Sequence, residues 1–142
     1  SSVARWCLEK DPEIICVESY SFGSHNASRA AYEFGGYLRM ALMNICPVVL
    51  EIPPARAKSF ATKDGSAGKE KVRQRVQCEF GTTFESYDLA DACALAWLGA
   101  VTTGMLGFTF DLQCEIADAC ADMVDREKKA WEAANQKAKV AA

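Results

Sequence analysis

The chain has 142 residues and a formal net charge of −3; half of its residues are apolar and a quarter are charged. That length carries one domain with a proper core, and the composition is ordinary for a soluble globular protein. No apolar run reaches about 18 residues, so no segment reads as a membrane span. The net charge by itself does not mark a nucleic-acid binder.

The first residues, Ser1-Ser2-Val3-Ala4-Arg5-Trp6, do not form a signal peptide, and the absence of an initiator Met is expected of a trimmed chain or a fragment. Val3 to Glu9 reads as the end of a helix with Val3, Trp6 and Cys7 on one face, broken by Asp11-Pro12. Ile14-Ile15-Cys16-Val17 then suits a strand buried on both faces, running on through Glu18 to Ser19. A buried strand has no use for a glutamate unless it sits at the strand end and meets something positive. Strand ends are where open α/β sheets hold ligands, so Glu18 reads as a site residue. A loop, Tyr20-Ser21-Phe22-Gly23-Ser24-His25, follows, with Ser24 or Asn26 able to cap the next helix.

That helix is expected over 27–44, with Ala30, Ala31, Phe34, Leu38, Ala41, Leu42 and Ile45 as its apolar positions. Gly35-Gly36 costs roughly 1 kcal/mol each against Ala; close packing on another helix, of this chain or of a second subunit, or a kink would account for it. Pro47 to Ile52 is a second buried strand, ended by Pro53-Pro54, so that strand, helix and strand form a parallel β-α-β unit. A short helix over 55–61 leads into the Gly65/Gly68 turn and a basic amphipathic helix, Lys69 to Phe80, whose buried side is Val72, Val76 and Phe80. Ser86 caps an alanine-rich helix from Tyr87 to about Val101, and a last helix with a thin apolar stripe runs from about Asp111 to Lys139.

Two features cut across these elements. From Ala55 to Glu79 there are seven basic residues (Arg56, Lys58, Lys63, Lys69, Lys71, Arg73, Arg75) against three acids, a candidate phosphate-contacting segment or a solvated helix face. The seven cysteines are odd in number and contain no C-x-x-C, which reads as reduced, buried thiols in a cytoplasmic protein; with His25 the single histidine, a structural zinc site is not expected.

Asp88 and Asp91 are three apart on one helix face. Such a pair at a helix start ordinarily complements the helix dipole. With Glu18 added, three carboxylates suit a pair of Mg²⁺ ions, which take hard oxygen ligands and leave positions for water and phosphate.

Val17-Glu18-Ser19-Tyr20-Ser21-Phe22-Gly23 resembles the second acidic motif of RuvC-type Holliday junction resolvases, of the RNase H-like nuclease superfamily. The run from Pro47 through Pro54, Lys58, Thr62, Gly65, Ala67, Lys69-Glu70 and Val72 resembles that family's strand, turn and basic helix. Asp88-Leu89-Ala90-Asp91-Ala92-Cys93-Ala94-Leu95-Ala96 resembles its closing acidic helix. The likeness covers about residues 3 to 100.

The resemblance implies an RNase H-like α/β fold, a mixed sheet flanked by helices, over 1–107, with 108–142 an appended helix. It implies Glu18, Asp88 and Asp91 as metal ligands, two Mg²⁺ ions (or Mn²⁺ in their place), and Lys69 beside the scissile phosphate. It places Tyr20 and Phe22 against unpaired bases, with ordinary loop packing the equal alternative. Arg56, Lys58, Lys63, Lys71, Arg73 and Arg75 become phosphate contacts, of which at least half are expected simply to be solvated. The substrate is branched DNA and the assembly a homodimer with two symmetric cuts. The family's first strand, with an essential Asp, is expected to be missing from this chain. The acidic stretch Asp111, Glu115, Asp118, Asp122 and Asp125 reads as a solvated helix face rather than a replacement ligand. Alternatives are a non-catalytic DNA-binding or scaffolding protein that keeps the fold, or a nuclease for another structured nucleic acid.

Overall fold

A computed structural model describes residues 2–19 and 29–141 of the chain. The order of elements is α1 (Ser2–Lys10), β1 (Ile15–Glu18), α2 (Arg29–Met43), β2 (Val49–Ile52), α3 (Pro54–Thr62), α4 (Lys69–Phe80), α5 (Tyr87–Thr102) and α6 (Asp111–Ala141). Every element expected from the sequence is present, with ends within about two residues of those expected. Among the described residues the sheet has two strands. Ile15 N–H donates to the Val48 carbonyl and Ser19 N–H to that of Ile52, both at 2.9 Å. The offset between partners is the same at both ends, so the strands are parallel, as a β-α-β unit requires.

The chain forms two compact units, one of Ser1–Ile15, Ser21–Leu50 and Asp122–Ala142, the other of Cys16–Tyr20 and Glu51–Ala121. In the first, α1 packs on α2. Cys7, Leu42, Cys46, Val48 and Leu50 are buried, and the Cys46 thiol donates to the Pro12 and Val48 carbonyls. Asp11 ends α1 in a left-handed conformation that Asp tolerates better than most residues. Trp6, expected on the packed face, is instead 60% exposed, and so is Phe34 of α2 at 65%. Leu42 fills the role expected of the whole stripe, while Leu38, Ala41 and Ile45 are half-buried. A Cβ on Gly36 would meet nothing within 4 Å among the described residues, so no described neighbour requires the glycine.

The second unit is a three-helix layer of α3, α4 and α5, with the ends of the two strands and the start of α6. Its core is Ile52, Phe60, Val72, Val76, Ala94, Trp97, Leu98 and Val101. Phe60 and Phe80 both meet the Trp97 ring edge-to-face, at 5.1 and 5.5 Å between centroids, the geometry aromatic quadrupoles favour. Phe80 is nevertheless 40% exposed, because it covers the rim of Trp97 instead of entering the core.

Pro54 opens α3 at the helix start, where its missing N–H costs nothing. The turn into α4 is built on Asp64, whose Oδ1 accepts from Ser66 N–H (2.9 Å) and Ser66 Oγ (2.7 Å), while Oδ2 pairs with Lys71 (3.1 Å). These partners hold the Asp64 carboxyl at a pKa of about 2. Gly65 lies against α3 so closely that a Cβ would come 2.9 Å from Ser59 Oγ and 3.2 Å from the Ala55 carbonyl. Gly81 closes α4 at φ 61°. At α5, the Ser86 hydroxyl accepts from Leu89 N–H at 3.2 Å, the cap expected from the sequence.

β1 is half-buried rather than buried on both faces, because with one described neighbour it is an edge strand. Cys78 is exposed, and Cys16, Cys93 and Cys114 are half-buried, so only Cys7, Cys46 and Cys120 fit the expectation of buried thiols. No helix among the described residues is long and apolar enough to cross a membrane.

Candidate functional site

All three helices of the second unit and the end of β1 contribute to one cavity of about 190 Å³. Glu18 enters from the strand end, Lys58 from α3, Lys69 from the first turn of α4, and Asp88 and Asp91 from the start of α5; Ala57, Val72, Ala94 and Leu95 supply apolar walls. The local reasons are simple. β1 stops at Glu18, so its carboxylate leaves the sheet where the strand ends. Ser86 fixes the first turn of α5, and the three- and four-residue steps from Asp88 to Asp91 to Leu95 keep all three on one helix face. Close approach of α5 to β1 is allowed by Gly99, where a Cβ would come 2.9 Å from Cys16 Sγ.

The electrostatics show crowded negative charge only partly compensated. Burial pushes the Glu18 pKa up, and Asp91 and Asp88 add to the rise, while Lys58 and Lys69 oppose it. Glu18 is exposed on its open side, yet the protein around it still removes enough water to make desolvation the largest cause. The Asp91 pKa is also raised, first by burial; Lys69 and then Lys58 pull it down, and Asp88 pushes it up.

The cavity's donors are carboxylate oxygens with no thiol or imidazole among them, a set that suits a hard divalent cation. Among the described residues, no three His, Cys, Asp or Glu side chains stand close enough to enclose one metal ion. The chemistry of the donors therefore fits such an ion, while their spacing is open.

The remaining candidate residues are dispersed. Lys71 is paired with Asp64, and Arg73 pairs with Glu70 at 2.7 Å and lies 4.8 Å from the centre of the Tyr87 ring. Arg56 approaches the Cys120 sulfur, where with Thr102 it opposes the rise that burial causes in the thiol pKa. Lys63 lines a different cavity with Arg75. Tyr20, Phe22 and His25 lie outside the described residues. Asp111, Glu115, Asp118, Asp122 and Asp125 are all exposed and none lines the carboxylate cavity, as a solvated helix face requires. From Lys128 to Ala141 every residue of α6 is exposed, Trp131 and Ala134 included, so the thin apolar stripe expected along the helix is not covered over that stretch.

One polar device was not anticipated from sequence. Gln113, fully buried, accepts from Thr109 N–H (2.7 Å) and Thr109 Oγ1 (3.0 Å) and donates to the Phe60 carbonyl (3.1 Å). A lone Gln near the start of an acidic helix gives no periodic signal; its burial depends on the fold.

No family model matches the chain. A crossover junction endodeoxyribonuclease RuvC from Synechococcus sp. (strain CC9311) is 32% identical over 90 residues, 62% of this chain and 56% of that protein. A protein of the same description from Carboxydothermus hydrogenoformans is 31% identical over 103 residues, 70% of this chain and 65% of that protein. The chain thus spans less than two thirds of these relatives' length. The structure of Thermus thermophilus RuvC superimposes with a TM-score of 0.61 at 26% identity, covering 73% of this chain and 64% of that one. The chain is thus similar in sequence to RuvC endonucleases and shares the RNase H-like fold of a RuvC structure.

Proposed function

We propose that this chain is the core of a Holliday junction endonuclease that hydrolyses phosphodiesters in branched DNA. The observation that carries the reading is the shared cavity of Glu18, Asp88, Asp91, Lys58 and Lys69. It is supported by relatives named crossover junction endodeoxyribonuclease. Residues 1–107 are the nuclease core in this reading, residues 108–142 are appended to it through the buried start of α6, and the protein works in the cytoplasm as a homodimer whose two-fold axis matches a junction cut symmetrically.

In this reading Glu18, Asp88 and Asp91 hold Mg²⁺, two ions in the full site, with Mn²⁺ able to substitute. A bound divalent ion supplies charge stabilisation for the phosphate and an acidified water. The chain's own groups do the rest. Lys69 and Lys58 place positive charge beside the carboxylates, which attracts a phosphate into a site that would otherwise repel it. Ala57, Val72 and Leu95 exclude bulk water from one side, which strengthens those interactions. Water adds to phosphorus, the bond to the 3′ oxygen breaks, and that oxygen leaves with a proton. Lys63, Lys71, Arg73 and Arg56, with Tyr20 and Phe22, complete the proposed DNA surface.

The test is cleavage of a four-way DNA junction with Mg²⁺ present. Glu18→Gln and Asp91→Asn are each expected to abolish nicking while junction binding survives. Cleavage that persists in both variants contradicts the assignment. Junction binding without Mg²⁺-dependent nicking at any protein concentration would instead identify a DNA-binding protein that keeps this fold.

A further inference from the structure

The start of α6 is attached to α3 at two positions one helical turn apart. Gln113 Nε2 donates to the Phe60 carbonyl at 3.1 Å. The Arg56 guanidinium reaches the buried Cys120 sulfur. Lys58 stands midway between these positions in α3. At about 100° per residue, its side chain leaves the helix about 200° from that of Arg56, on the opposite face. On that face Lys58 lines the carboxylate cavity with Glu18, Asp88 and Asp91. The attachments and the cavity belong to the same compact unit.

The bond at Phe60 meets a need of α3 itself. The helix ends at Thr62, and Lys63 turns left-handed at φ 66°. The Asp64 N–H, which a longer helix would aim at the Phe60 carbonyl, goes to Thr62 Oγ1 at 3.3 Å. Phe60 is fully buried, so bulk water does not serve that carbonyl either. Gln113 is also fully buried, and its amide is held one way round. Its Oε1 accepts from Thr109 N–H (2.7 Å) and Thr109 Oγ1 (3.0 Å), which leaves Nε2 for Phe60. A shift of α3 would leave a donor and an acceptor unpaired in the core, so this network resists the shift more than apolar contact alone does.

We propose that Gln113 is a positioning residue for the carboxylate cavity: its bond to the Phe60 carbonyl holds α3 in the place from which Lys58 lines that cavity. The inference rests on the metal-binding reading of the cavity given above. It adds a residue that touches neither the cation nor the substrate.

The role has a signed consequence. A lysine beside the carboxylates opposes the entry of another cation. An α3 free to shift holds Lys58 less closely, so loss of the Gln113 bond lets the cavity bind Mn²⁺ more tightly. A merely structural bond, when lost, would leave Mn²⁺ affinity unchanged or lower it.

The test is calorimetric titration of the whole chain with Mn²⁺, without DNA, on the wild type, Gln113→Met, Lys58→Met and the double variant, with thermal melting alongside. Gln113→Met lowers Tm and raises Mn²⁺ affinity by about two- to fivefold, the effect of one charge at a partly exposed site. Lys58→Met raises the affinity at least as much, and the double variant binds no more tightly than Lys58→Met alone. An affinity that Gln113→Met leaves unchanged or lowers overturns the positioning role, as does a gain that persists in full on top of Lys58→Met. Wild-type affinity in Lys58→Met overturns it too. If Gln113→Met shows no cooperative melt, Thr109→Val, which removes one of the two groups orienting the amide, is read with and without Lys58→Met and decides by the same comparison. A wild-type chain that binds no Mn²⁺ overturns the metal-binding reading, and this inference with it.

Discussion

Glu18 at the end of β1 and Asp91 in the second turn of α5 face one cavity, and the negative charge of Asp91 adds to the rise that burial causes in the Glu18 pKa. Each therefore binds its proton more tightly in the folded chain than at its ordinary value of 4.5 for Glu or 3.8 for Asp. A raised carboxylate weakens the fold. That destabilisation is fully present above the raised folded pKa values, and it is relieved as pH falls through them toward 4.5 and 3.8.

Neutralising either carboxylate is accordingly expected to stabilise the protein. Glu18→Gln and Asp91→Asn should each raise stability, and with it Tm, at neutral pH, the free-energy gain being no more than about 1 kcal/mol given the exposure of the site. The gain should shrink as pH approaches 4.5 and 3.8. Melting curves over that range measure both effects, and variants less stable than wild type at pH 7 would contradict the electrostatic account.

The approach of α5 to β1 gives a second expectation. Gly99→Ala gains up to about 1 kcal/mol of helix propensity, but its Cβ would press on Cys16 Sγ. Overpacking of this kind costs about 1–3 kcal/mol, so the net change is a loss of roughly 1 kcal/mol. Removing the sulfur by Cys16→Ala in the same chain should recover most of that loss. A denaturant series on the two single variants and the double variant gives the coupling directly, and additive effects would show that the close approach is unimportant.

The cap of α5 links stability to the site. Ser86→Ala removes the bond to Leu89 N–H and should cost about 1 kcal/mol. Because Asp88 sits in the turn that Ser86 holds, the variant should also weaken binding of a divalent cation. Ser86→Asn keeps an accepting oxygen and is expected to restore both, as urea unfolding and calorimetry can check.

Much of this arrangement is readable before folding. Ser86, the alanine-rich run after it and the three-residue step from Asp88 to Asp91 are local signals, and α5 begins at the expected residue. The bounds of α4 follow equally from Lys69, the apolar Val72 and Val76, and Gly81. Position against solvent is less legible. Trp6 and Phe34 fit an apolar stripe by spacing and remain exposed, because periodicity states which face a residue shares and not whether a neighbour covers it. Long-range polar partners are less legible still. The chain from Arg75 to Thr109 to Gln113 to Phe60 joins three elements through side chains whose identities are unremarkable in sequence.

The central proposal is that the openly spaced carboxylates of Glu18, Asp88 and Asp91 bind a divalent cation in their shared cavity. Calorimetric titration of the chain with Mn²⁺, without DNA, tests it most directly. Saturable binding by the wild type, reduced at least tenfold by both Glu18→Gln and Asp91→Asn, is the predicted result. No saturable binding, or an affinity that neither substitution changes, would contradict the account.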